Sequence, residues 1–333
     1  MSESSPDSMA PLLRVEDLVT AFDTEAGEVR AVDGVSFDVF PGRTLGIVGE
    51  SGCGKTVTAL SITQLLPQPM ASIVSGRILF EGHDLANAPV EVLHRVRGSR
   101  IGMIFQEPMT ALNPVHRIGR QITETLRIHR DISDAEALAA SISMLEKVGI
   151  PSPELRISEY PHQLSGGMRQ RIMIAMALIC DPALIIADEP TTALDVTIQA
   201  QILDLLQSLQ DDTQASIIMI THDLGVIAET CDDVLVMYAG RVAEQGSVEA
   251  VFNDPRHPYT KGLLESIPRL TTERKSRLKT IKGMVPALTN MPTGCRFNNR
   301  CPHATELCRT DYPSLDGIEG SHRSACHHWR EVG

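Results

Sequence analysis

The chain has 333 residues, of which 42% are hydrophobic and 22% are charged, as is typical of a soluble globular protein. Its 30 basic and 42 acidic residues leave a net charge of −12, which argues against non-specific binding to nucleic acid because phosphate contacts require Lys and Arg. Residues 1–11 lack the apolar stretch of a secretory signal, and no apolar run approaches the roughly 18–20 residues that span a bilayer. We therefore expect a cytoplasmic protein that begins with a short disordered tail at residues 1–11.

Short apolar runs alternate with helical patterns along the chain. Residues 12–48 contain β-branched runs separated by Gly and acidic turns, which predict a small sheet that leads into a buried strand. Helical periodicity dominates residues 115–164, and this block interrupts the strand pattern as an insertion would. The alternation predicts an α/β fold with a mainly parallel sheet. Beyond residue 48 we predict helices at 57–66, 118–129 and 135–149 and strands at 100–105, 183–189 and 216–223.

The segment GESGCGKT, residues 49–56, matches the pattern G-x-x-x-x-G-K-[ST] and lies between a predicted strand and a predicted helix. In this setting the glycines let backbone N–H groups face phosphates, and the start of the helix favours the anion. Lys55 would reach the β- and γ-phosphates of ATP, and the Thr56 hydroxyl would ligate Mg²⁺. The alternative is a chance glycine-rich turn, which the strand–loop–helix setting disfavours. The predicted nucleotide-binding residues of this phosphate loop are Gly49, Glu50, Ser51, Gly52, Cys53, Gly54, Lys55 and Thr56.

The run LIIADE, residues 184–189, is an aliphatic strand that ends in two carboxylates. Such a strand would deliver Asp188 to the metal and Glu189 to the γ-phosphate, where a carboxylate can orient and polarise the attacking water. On its own, an acidic pair before Pro190 would equally suit the start of a helix. Beside the phosphate loop the catalytic interpretation is the stronger one, and the two motifs together predict a nucleoside triphosphatase.

A second glycine motif lies in HQLSGGMRQR, residues 162–171. Ser165, Gly166 and Gly167 precede a helical run at 168–179, so they form another helix start that suits an anion. A chain with one nucleotide site does not need two such sites. The motif makes sense if it closes on a nucleotide that another subunit holds.

The order of these motifs resembles the ATPase subunit of an ABC transporter, and the likeness covers roughly residues 12–265. It implies an α/β P-loop NTPase with a RecA-like core, an antiparallel β subdomain and a helical insertion at about residues 107–164. Residues 266–333 would then form a small Cys-rich C-terminal extension. ATP and Mg²⁺ are the ligands that the likeness implies.

The same likeness adds four residues to the site. Phe22 would stack on the adenine, although a lone aromatic also suits simple core packing. Gln106 would sense the γ-phosphate and couple to the helical insertion, Asp195 would lie at the seam of an ATPase dimer, and His222 would contact the γ-phosphate. The catalytic residues implied are Glu189, His222, Lys55 and Gln106, and the Mg²⁺ ligands implied are Thr56, Gln106 and Asp188.

Finer stretches resemble the peptide-import ATPases of the oligopeptide and dipeptide branch, whose relatives also carry nickel or glutathione. This branch implies a subunit that hydrolyses ATP to power the import of di- and oligopeptides, with nickel, glutathione or another small solute as the alternative cargo. The triplet His257, Pro258 and Tyr259 suits a local turn in which proline fixes φ and tyrosine packs, and we assign it no chemistry. The segments that carry the likeness are 104–114, 159–178, 237–246 and 255–268.

The branch likeness also implies a peripheral protein at the cytoplasmic face of the inner membrane. Its partners would be a related ATPase subunit in a heterodimer, two integral membrane permease subunits and an extracytoplasmic substrate-binding protein. A homodimer is the alternative. A soluble ABC-type ATPase that acts on ribosomes or nucleic acid is a remote alternative, because such proteins generally fuse two cassettes and this acidic chain has one. Export is disfavoured because exporters commonly carry their membrane span in the same chain.

Four of the seven cysteines, Cys295, Cys301, Cys308 and Cys326, are spaced x5, x6 and x17, without the tight C-x₂₋₄-C pair of most structural zinc sites. Disulfides are not expected in the cytoplasm, and a small polar extension would gain stability from a metal. Four thiolates in a loop-rich segment suit a [4Fe–4S] cluster, and the branch likeness supports it. Zinc and unmetallated thiols stay open as alternatives. The histidines that keep a mixed zinc site open are His303, His322, His327 and His328.

Overall fold

The computed structural model describes residues 10–25, 27–192, 194–267 and 280–332. Residues 1–9 of the predicted tail lie outside these ranges. Within the described ranges, no helix combines the length and the apolar character that crossing a membrane requires.

The chain divides into two compact units, and each is described by itself. The first unit combines the beginning and the end of the chain, and the second is built from its middle. The described residues within Met1–Phe40, Thr44–Asn87 and Thr221–Gly333 form the first unit, and those within Pro41–Arg43 and Ala88–Ile220 form the second.

An antiparallel sheet of four strands lies in the first unit, in the order β2-β1-β4-β5. Its longest strand, β2, buries alternate side chains, among them Val35, Phe37 and Val39, as expected of a sheet with one covered face. This sheet matches the small sheet predicted for the N-terminal residues. The strands are β1 (Leu13–Thr24), β2 (Gly27–Val39), β4 (Ala71–Phe80) and β5 (His83–Asp84).

A second set of strands in the same unit is ordered β3-β9-β10-β12-β11. Strand β3 is buried along its whole length and pairs in parallel with β9, whereas the other pairs are antiparallel. Through the pair Glu244 and Ser324, the C-terminal strand β12 joins this sheet. The strands are β3 (Thr44–Val48), β9 (Asp233–Tyr238), β10 (Arg241–Ser247), β11 (Asp316–Glu319) and β12 (His322–Ser324).

The helices of the first unit are short. The predicted helix at 57–66 begins two residues earlier, at Lys55, and ends at Ile62. The helices are α1 (Lys55–Ile62), α9 (Leu224–Thr230), α10 (Val248–Asn253), α11 (Pro258–Glu265), α12 (Glu306–Thr310) and α13 (Trp329–Val332).

Three parallel strands form the centre of the second unit, with β7 between β6 and β8. They lie where the sequence predicts buried strands, and β7 and β8 are buried at every position. Continuous Ile and Leu runs suit strands that are covered on both faces. The strands are β6 (Ile101–Ile104), β7 (Leu184–Asp188) and β8 (Ser216–Thr221).

Helices account for most of the rest of the second unit. The predicted helix at 118–129 has those bounds in the structure, and the next begins at a capping box in which Ser133 and Glu136 exchange hydrogen bonds. The helices are α2 (Val90–Val96), α3 (Pro108–Ala111), α4 (Ile118–His129), α5 (Asp134–Lys147), α6 (Pro153–Arg156), α7 (Gly166–Leu178) and α8 (Val196–Thr213), with a 3₁₀ turn at Pro161–Gln163.

Candidate functional site

The phosphate loop of the first unit connects β3, which ends at Val48, to α1, which begins at Lys55. Gly54 stands just before the helix with a φ of 103°, a backbone conformation that L side chains rarely adopt. A Cβ atom at Gly54 would lie 2.6 Å from the carbonyl oxygen of Ala31, so a larger residue would displace backbone. The shape of the loop therefore depends on glycine at this position.

The Lys55 side chain turns back into the loop that it follows. Its Nζ donates hydrogen bonds to the carbonyl oxygens of Gly49 at 2.8 Å and Glu50 at 3.3 Å, and the residue is buried. The Thr56 side chain, next in the chain, is exposed. Cys53, within the same loop, is buried, and burial raises the pKa of its thiol. A cation held by carbonyl oxygens at the start of a helix is suited to bind an anionic phosphate group.

Two residues more than 200 positions further along the chain contact the phosphate loop, and the sequence predicted neither contact. The hydroxyl oxygen of Tyr259 accepts a hydrogen bond from the backbone N–H of Glu50 at 2.8 Å. The guanidinium of Arg300 pairs with the Glu50 carboxylate, with 2.9 Å between Nη2 and Oε1. Glu50 is therefore held from outside the loop.

Two more predicted site residues lie in the first unit. Phe22 is half-buried on β1, opposite Val29 of β2 and Ala71 of β4. His222 is exposed directly after β8, and the next residue, Asp223, caps α9. Both positions are accessible, and their roles toward ATP stay predictions.

The acidic end of β7 lies in the second unit. Asp188 is buried, and Glu189 follows it with a φ of 47°, in the left-handed region that non-glycine residues adopt at a cost of about 1–2 kcal/mol. The backbone N–H of Glu189 donates to the carbonyl oxygen of Ile220 at 2.9 Å, which holds this conformation. Backbone strain of this kind concentrates at functional sites.

The Glu189 carboxylate accepts hydrogen bonds from two side chains of its own unit. Gln106, two residues after β6, donates from Nε2 to Oε2 at 3.2 Å, and Thr192 donates from its hydroxyl to the same oxygen at 2.7 Å. The structure thus brings together Gln106 and Glu189, two of the residues predicted to be catalytic. We did not assign Thr192 from the sequence, because a threonine in a loop carries no motif of its own.

The predicted second anion site lies at the start of α7. Ser165 caps this helix of 13 residues, its Oγ accepting the N–H of Met168 at 3.3 Å, and both Ser165 and Gly166 are exposed. Further along the helix, the buried Gln170 donates from Nε2 to the carbonyl oxygen of Pro190 at 2.6 Å. This bond, which the sequence did not reveal, ties α7 to the segment after Glu189.

Asp195 has a structural role in addition to the one predicted at a dimer seam. Its Oδ1 accepts the backbone N–H of Ile198 at 3.0 Å, so Asp195 is the N-cap of α8. Asp195 is exposed, so its carboxylate remains accessible to solvent.

The predicted site residues thus fall into two groups, one in each unit. The oxygen donors predicted for Mg²⁺, which are the Thr56 hydroxyl, the Asp188 carboxylate and the Gln106 amide, are of the kind that this hard cation prefers. The first unit carries Phe22, residues 49–56 and His222, and the second carries Gln106, Ser165, Gly166, Gly167, Asp188, Glu189 and Asp195.

The four C-terminal cysteines converge in the first unit. The Cys295 N–H donates to the Cys308 carbonyl oxygen at 2.9 Å, and all seven cysteines of the chain are free thiols. Burial, together with the charges of the neighbouring thiols, raises the pKa of Cys295 to about 11 and that of Cys326 to about 12. In the part of the chain that the structure describes, no group of three or more His, Cys, Asp or Glu side chains is arranged as a metal site. The thiols therefore approach one another without forming a finished metal cage.

Three of the features described above are typical parts of an ABC-type ATPase cassette. They are the glycine-rich phosphate loop, the acidic strand end with its strained glutamate, and the LSGGM helix with its serine cap. Residues 32–192 match the family described as "ABC transporter", and residues 243–308 match the family described as "Oligopeptide/dipeptide transporter, C-terminal region". The chain belongs to the family of ABC transporter ATP-binding subunits that carry this C-terminal region, and it is an ATPase.

Relatives that align with nearly the whole chain agree with this assignment, and a solved structure agrees with the fold. The chain is 52% identical over 318 residues to the dipeptide transport ATP-binding protein DppD of Bacillus subtilis, covering 96% of this chain and 95% of the relative. It is 49% identical over 329 residues to the oligopeptide transport ATP-binding protein OppD of Salmonella typhimurium, covering 98% and 97%. A dimeric post-hydrolysis structure of the ATP-binding cassette MJ0796 bound to ADP and Pi matches with a TM-score of 0.64 at 23% identity, covering 71% of this chain and 98% of that one. The predicted α/β P-loop NTPase fold is confirmed.

Proposed function

We propose that the chain is the ATP-hydrolysing subunit of an ABC transporter that imports di- or oligopeptides. The observation that carries the proposal is that one chain joins an ABC cassette to the C-terminal region described for oligopeptide and dipeptide transporters. The relatives named for dipeptide and oligopeptide transport align with 96% and 98% of the chain, which further supports the peptide cargo. Import of nickel, glutathione or another small solute is the alternative.

Nucleotide binding rests on the phosphate loop. Lys55 exchanges its bonds to the Gly49 and Glu50 carbonyl oxygens for bonds to the β- and γ-phosphates. Thr56, Gln106 and Asp188 hold Mg²⁺, which when bound neutralises charge on the phosphate oxygens. The half-buried ring of Phe22 stacks on the adenine.

Hydrolysis rests on Glu189. Its carboxylate orients a water molecule in line with the γ-phosphorus and accepts a proton as the new P–O bond forms and the bond to the ADP oxygen breaks. Gln106 and Thr192 hold that carboxylate through their hydrogen bonds to Oε2. His222 contacts the γ-phosphate and stabilises its charge.

Two ATPase subunits act together in this proposal. The start of α7, with Ser165 and Gly166 exposed, binds the γ-phosphate of a nucleotide held by the other subunit, and Asp195 lies at the seam. The second subunit is a related chain in a heterodimer. The pair docks on two membrane permease subunits at the cytoplasmic face of the inner membrane, and an extracytoplasmic substrate-binding protein delivers the cargo.

Uptake of a labelled short peptide by intact cells tests the proposal. In cells whose own copy carries Glu189→Gln, ATP binding persists, hydrolysis stops, and uptake falls to background. Glu229→Gln is the matched control, because Glu229 is an exposed glutamate on α9 and its change leaves uptake at the parental level.

The assembled complex must be verified by co-purification of the membrane subunits with the Glu189 variant. If uptake of the peptide is unchanged while the complex is assembled, the peptide cargo is wrong, and uptake of ⁶³Ni²⁺ and of glutathione is measured in the same strains. If ATP hydrolysis by the purified complex also survives Glu189→Gln, the role of Glu189 is wrong as well.

We also propose that Cys295, Cys301, Cys308 and Cys326 hold a [4Fe–4S] cluster. The proposal is supported by the convergence of the four thiols, which are close enough for their charges to add to the effect of burial on the pKa of Cys295 and Cys326. A mixed Cys/His zinc site is less favoured because three of the four nearby histidines already have hydrogen-bond partners. Those partners are Glu244 for His322, the Asp311 carbonyl oxygen for His327 and the Thr305 hydroxyl for His328.

Anaerobic purification followed by metal and acid-labile sulfide analysis tests the cluster. We expect about four iron atoms and four sulfides per chain. We also expect a broad visible absorbance that is lost in Cys301→Ser. Cys180→Ser is the control, because Cys180 is a buried thiol of the second unit and is not one of these four cysteines. One zinc atom per chain, or no metal, contradicts the proposal.

A further inference from the structure

Glu50, the second residue of the phosphate loop, has each of its polar groups held. Its backbone N–H donates to the Tyr259 hydroxyl at 2.8 Å, and its carbonyl oxygen accepts from Lys55 at 3.3 Å. Its carboxylate accepts two bonds from Arg300, one of them 2.9 Å long between Nη2 and Oε1. Two of these three attachments come from the C-terminal region.

The motif that contains Tyr259 fixes the direction of its phenol. His257 accepts the backbone N–H of Tyr259 on Nδ1 at 3.1 Å and so caps α11, and Pro258 occupies the first helical position, where a missing N–H is tolerated. The backbone N–H of His257 donates to the buried Glu244 carboxylate at 3.0 Å. The triplet that we read from the sequence as a local turn therefore also delivers a hydroxyl to the phosphate loop.

The Arg300 side chain is also buried and hydrogen-bonded. Only 5% of its side chain is exposed, and it donates to the Tyr238 hydroxyl at 3.2 Å and to the Lys282 carbonyl oxygen at 3.0 Å. The Tyr238 and Tyr259 rings pack with their centroids 4.7 Å apart. Tyr238 therefore contacts both of the residues that hold Glu50.

An acidic side chain within a phosphate loop opposes the anion that the loop binds, because like charges repel strongly where water is partly excluded. Glu50 is 30% exposed at its side chain, so solvent screens this repulsion only in part. Arg300 neutralises the carboxylate, and the bond to Tyr259 keeps the Glu50 peptide from rotating. Both contacts favour the loop conformation in which backbone N–H groups remain available to phosphate.

We propose that Tyr259 and Arg300 are positioning residues for ATP, which hold Glu50 and so keep the phosphate loop in its binding conformation. The C-terminal region is then part of the nucleotide site. This proposal concerns ATP binding and does not depend on the cargo, but it rests on the proposed role of residues 49–56 in holding the phosphates.

The test measures the affinity of the full-length chain for a fluorescent ATP analogue and the kinetics of ATP hydrolysis by the assembled complex. Arg300→Gln is expected to weaken binding about tenfold or more, and Tyr259→Phe, which keeps the ring and removes only the hydroxyl, about threefold. The KM for ATP rises by similar factors while kcat stays within about twofold, since loops that have bound ATP react normally. If a substitution only misfolded part of the protein, the apparent kcat would fall in proportion to the fraction of active molecules, and KM would be unchanged.

Matched controls lie shortly after Arg300 in the chain. Arg309→Gln removes an exposed arginine that pairs with Glu306 at 3.2 Å, and Tyr312→Phe keeps a ring that stacks on Arg241. Neither contacts the phosphate loop, so ATP affinity should match the parent. In the double variant Glu50→Gln with Arg300→Gln the half-buried carboxylate has gone with its partner, and affinity should recover above that of Arg300→Gln alone.

Unchanged affinity in Arg300→Gln, measured on chains whose circular dichroism matches the parent, overturns the proposal. The proposal is also overturned if the loss of ATP-binding free energy in the double variant equals the sum of the losses in Glu50→Gln and Arg300→Gln. Lys55→Ala separates this outcome from failure of the loop assignment. If Lys55→Ala still binds ATP normally, residues 49–56 are not the phosphate site. If Lys55→Ala loses ATP binding while Arg300→Gln and Tyr259→Phe keep it, residues 49–56 remain the phosphate site and only the role of Arg300 and Tyr259 is wrong.

Discussion

The Thr192 hydroxyl lies 2.7 Å from Oε2 of Glu189, the carboxylate oxygen that Gln106 also reaches. A charged acceptor held by two donors keeps one orientation, and catalysis by an oriented carboxylate depends on that geometry. We expect Thr192→Val to lower the kcat of ATP hydrolysis roughly tenfold with an unchanged KM, and Thr192→Ser to restore it. Steady-state kinetics of the assembled complex measure both constants.

Thr213→Val is the control for this change, because Thr213 is an exposed residue at the end of α8 whose hydroxyl donates to the Leu209 carbonyl oxygen and accepts from the Ala215 N–H, both backbone groups nearby in the chain. Its kcat should equal that of the parent. A Thr192→Val enzyme with a kcat within twofold of the parent would show that the catalytic orientation of Glu189 does not depend on Thr192.

Gly54→Ala should abolish ATP binding. Alanine at a φ of 103° is strained by about 1–3 kcal/mol, and its Cβ would meet the Ala31 carbonyl oxygen at 2.6 Å. We expect ATP binding by the full-length chain to become undetectable at concentrations that saturate the parent. Gly317→Ala is the control, since Gly317 is exposed on β11 with nothing within 4 Å of the added Cβ, and normal binding is expected there. Retained binding in Gly54→Ala would show that the loop has room to rearrange.

Gln170→Met should destabilise the chain. The change keeps the length of a buried side chain but leaves the Pro190 carbonyl oxygen without the 2.6 Å bond, at a cost of about 1–3 kcal/mol. Urea denaturation followed by fluorescence or circular dichroism measures the loss. The control Gln201→Met removes an exposed acceptor of Arg171 and should change stability by less than about 0.5 kcal/mol. Equal stabilities of the two variants would contradict the importance of this buried bond.

The stability of the chain should fall on mild acidification because of His257. Burial lowers the pKa of His257 from 6.5 to about 4, against the opposing attraction of Glu244. Since the unfolded state binds the proton more strongly, this contribution to stability is full above pH 6.5 and is lost as the pH falls toward 4. Between pH 7.5 and 5.5 we expect the free energy of unfolding to drop by about 1 kcal/mol through this residue.

His257→Asn isolates this effect, because asparagine keeps a side-chain acceptor at the start of α11 but does not titrate. Its stability should depend less on pH between 7.5 and 5.5 than that of the parent, whereas His83→Asn, at an exposed position, should follow the parent. If all three chains lose the same stability, protonation of other groups governs the acid response.

Local patterns predicted the elements that build the site. The Ile-rich strand before Asp188 and the glycine loop before Lys55 are visible in the sequence because each is a continuous segment with its own periodicity and turn residues. The left-handed backbone of Glu189 could not be predicted, since it is maintained by a bond to Ile220, which lies 31 positions further on.

The contacts made by Tyr259 and Arg300 show the same limit more clearly. Their partner Glu50 is 209 and 250 residues away along the chain, and no period or spacing in one sequence encodes such a pairing. From the sequence, the triplet around Tyr259 indicated only a turn and a family likeness. Its reach to the phosphate loop became visible only when the fold brought the two segments together.

The distance between Glu50 and Arg300 also sets an order of events during synthesis. A ribosome adds about 5–20 residues per second, so the 250 residues between them take roughly 12–50 s to make. In the last part of that interval, once His222 has been added, the nascent chain carries every recognisable ATPase motif while the carboxylate of Glu50 still has no Arg300 to neutralise it. A chain that ends between His222 and Arg300 would therefore keep every nucleotide-binding motif and lack the arginine that pairs with Glu50.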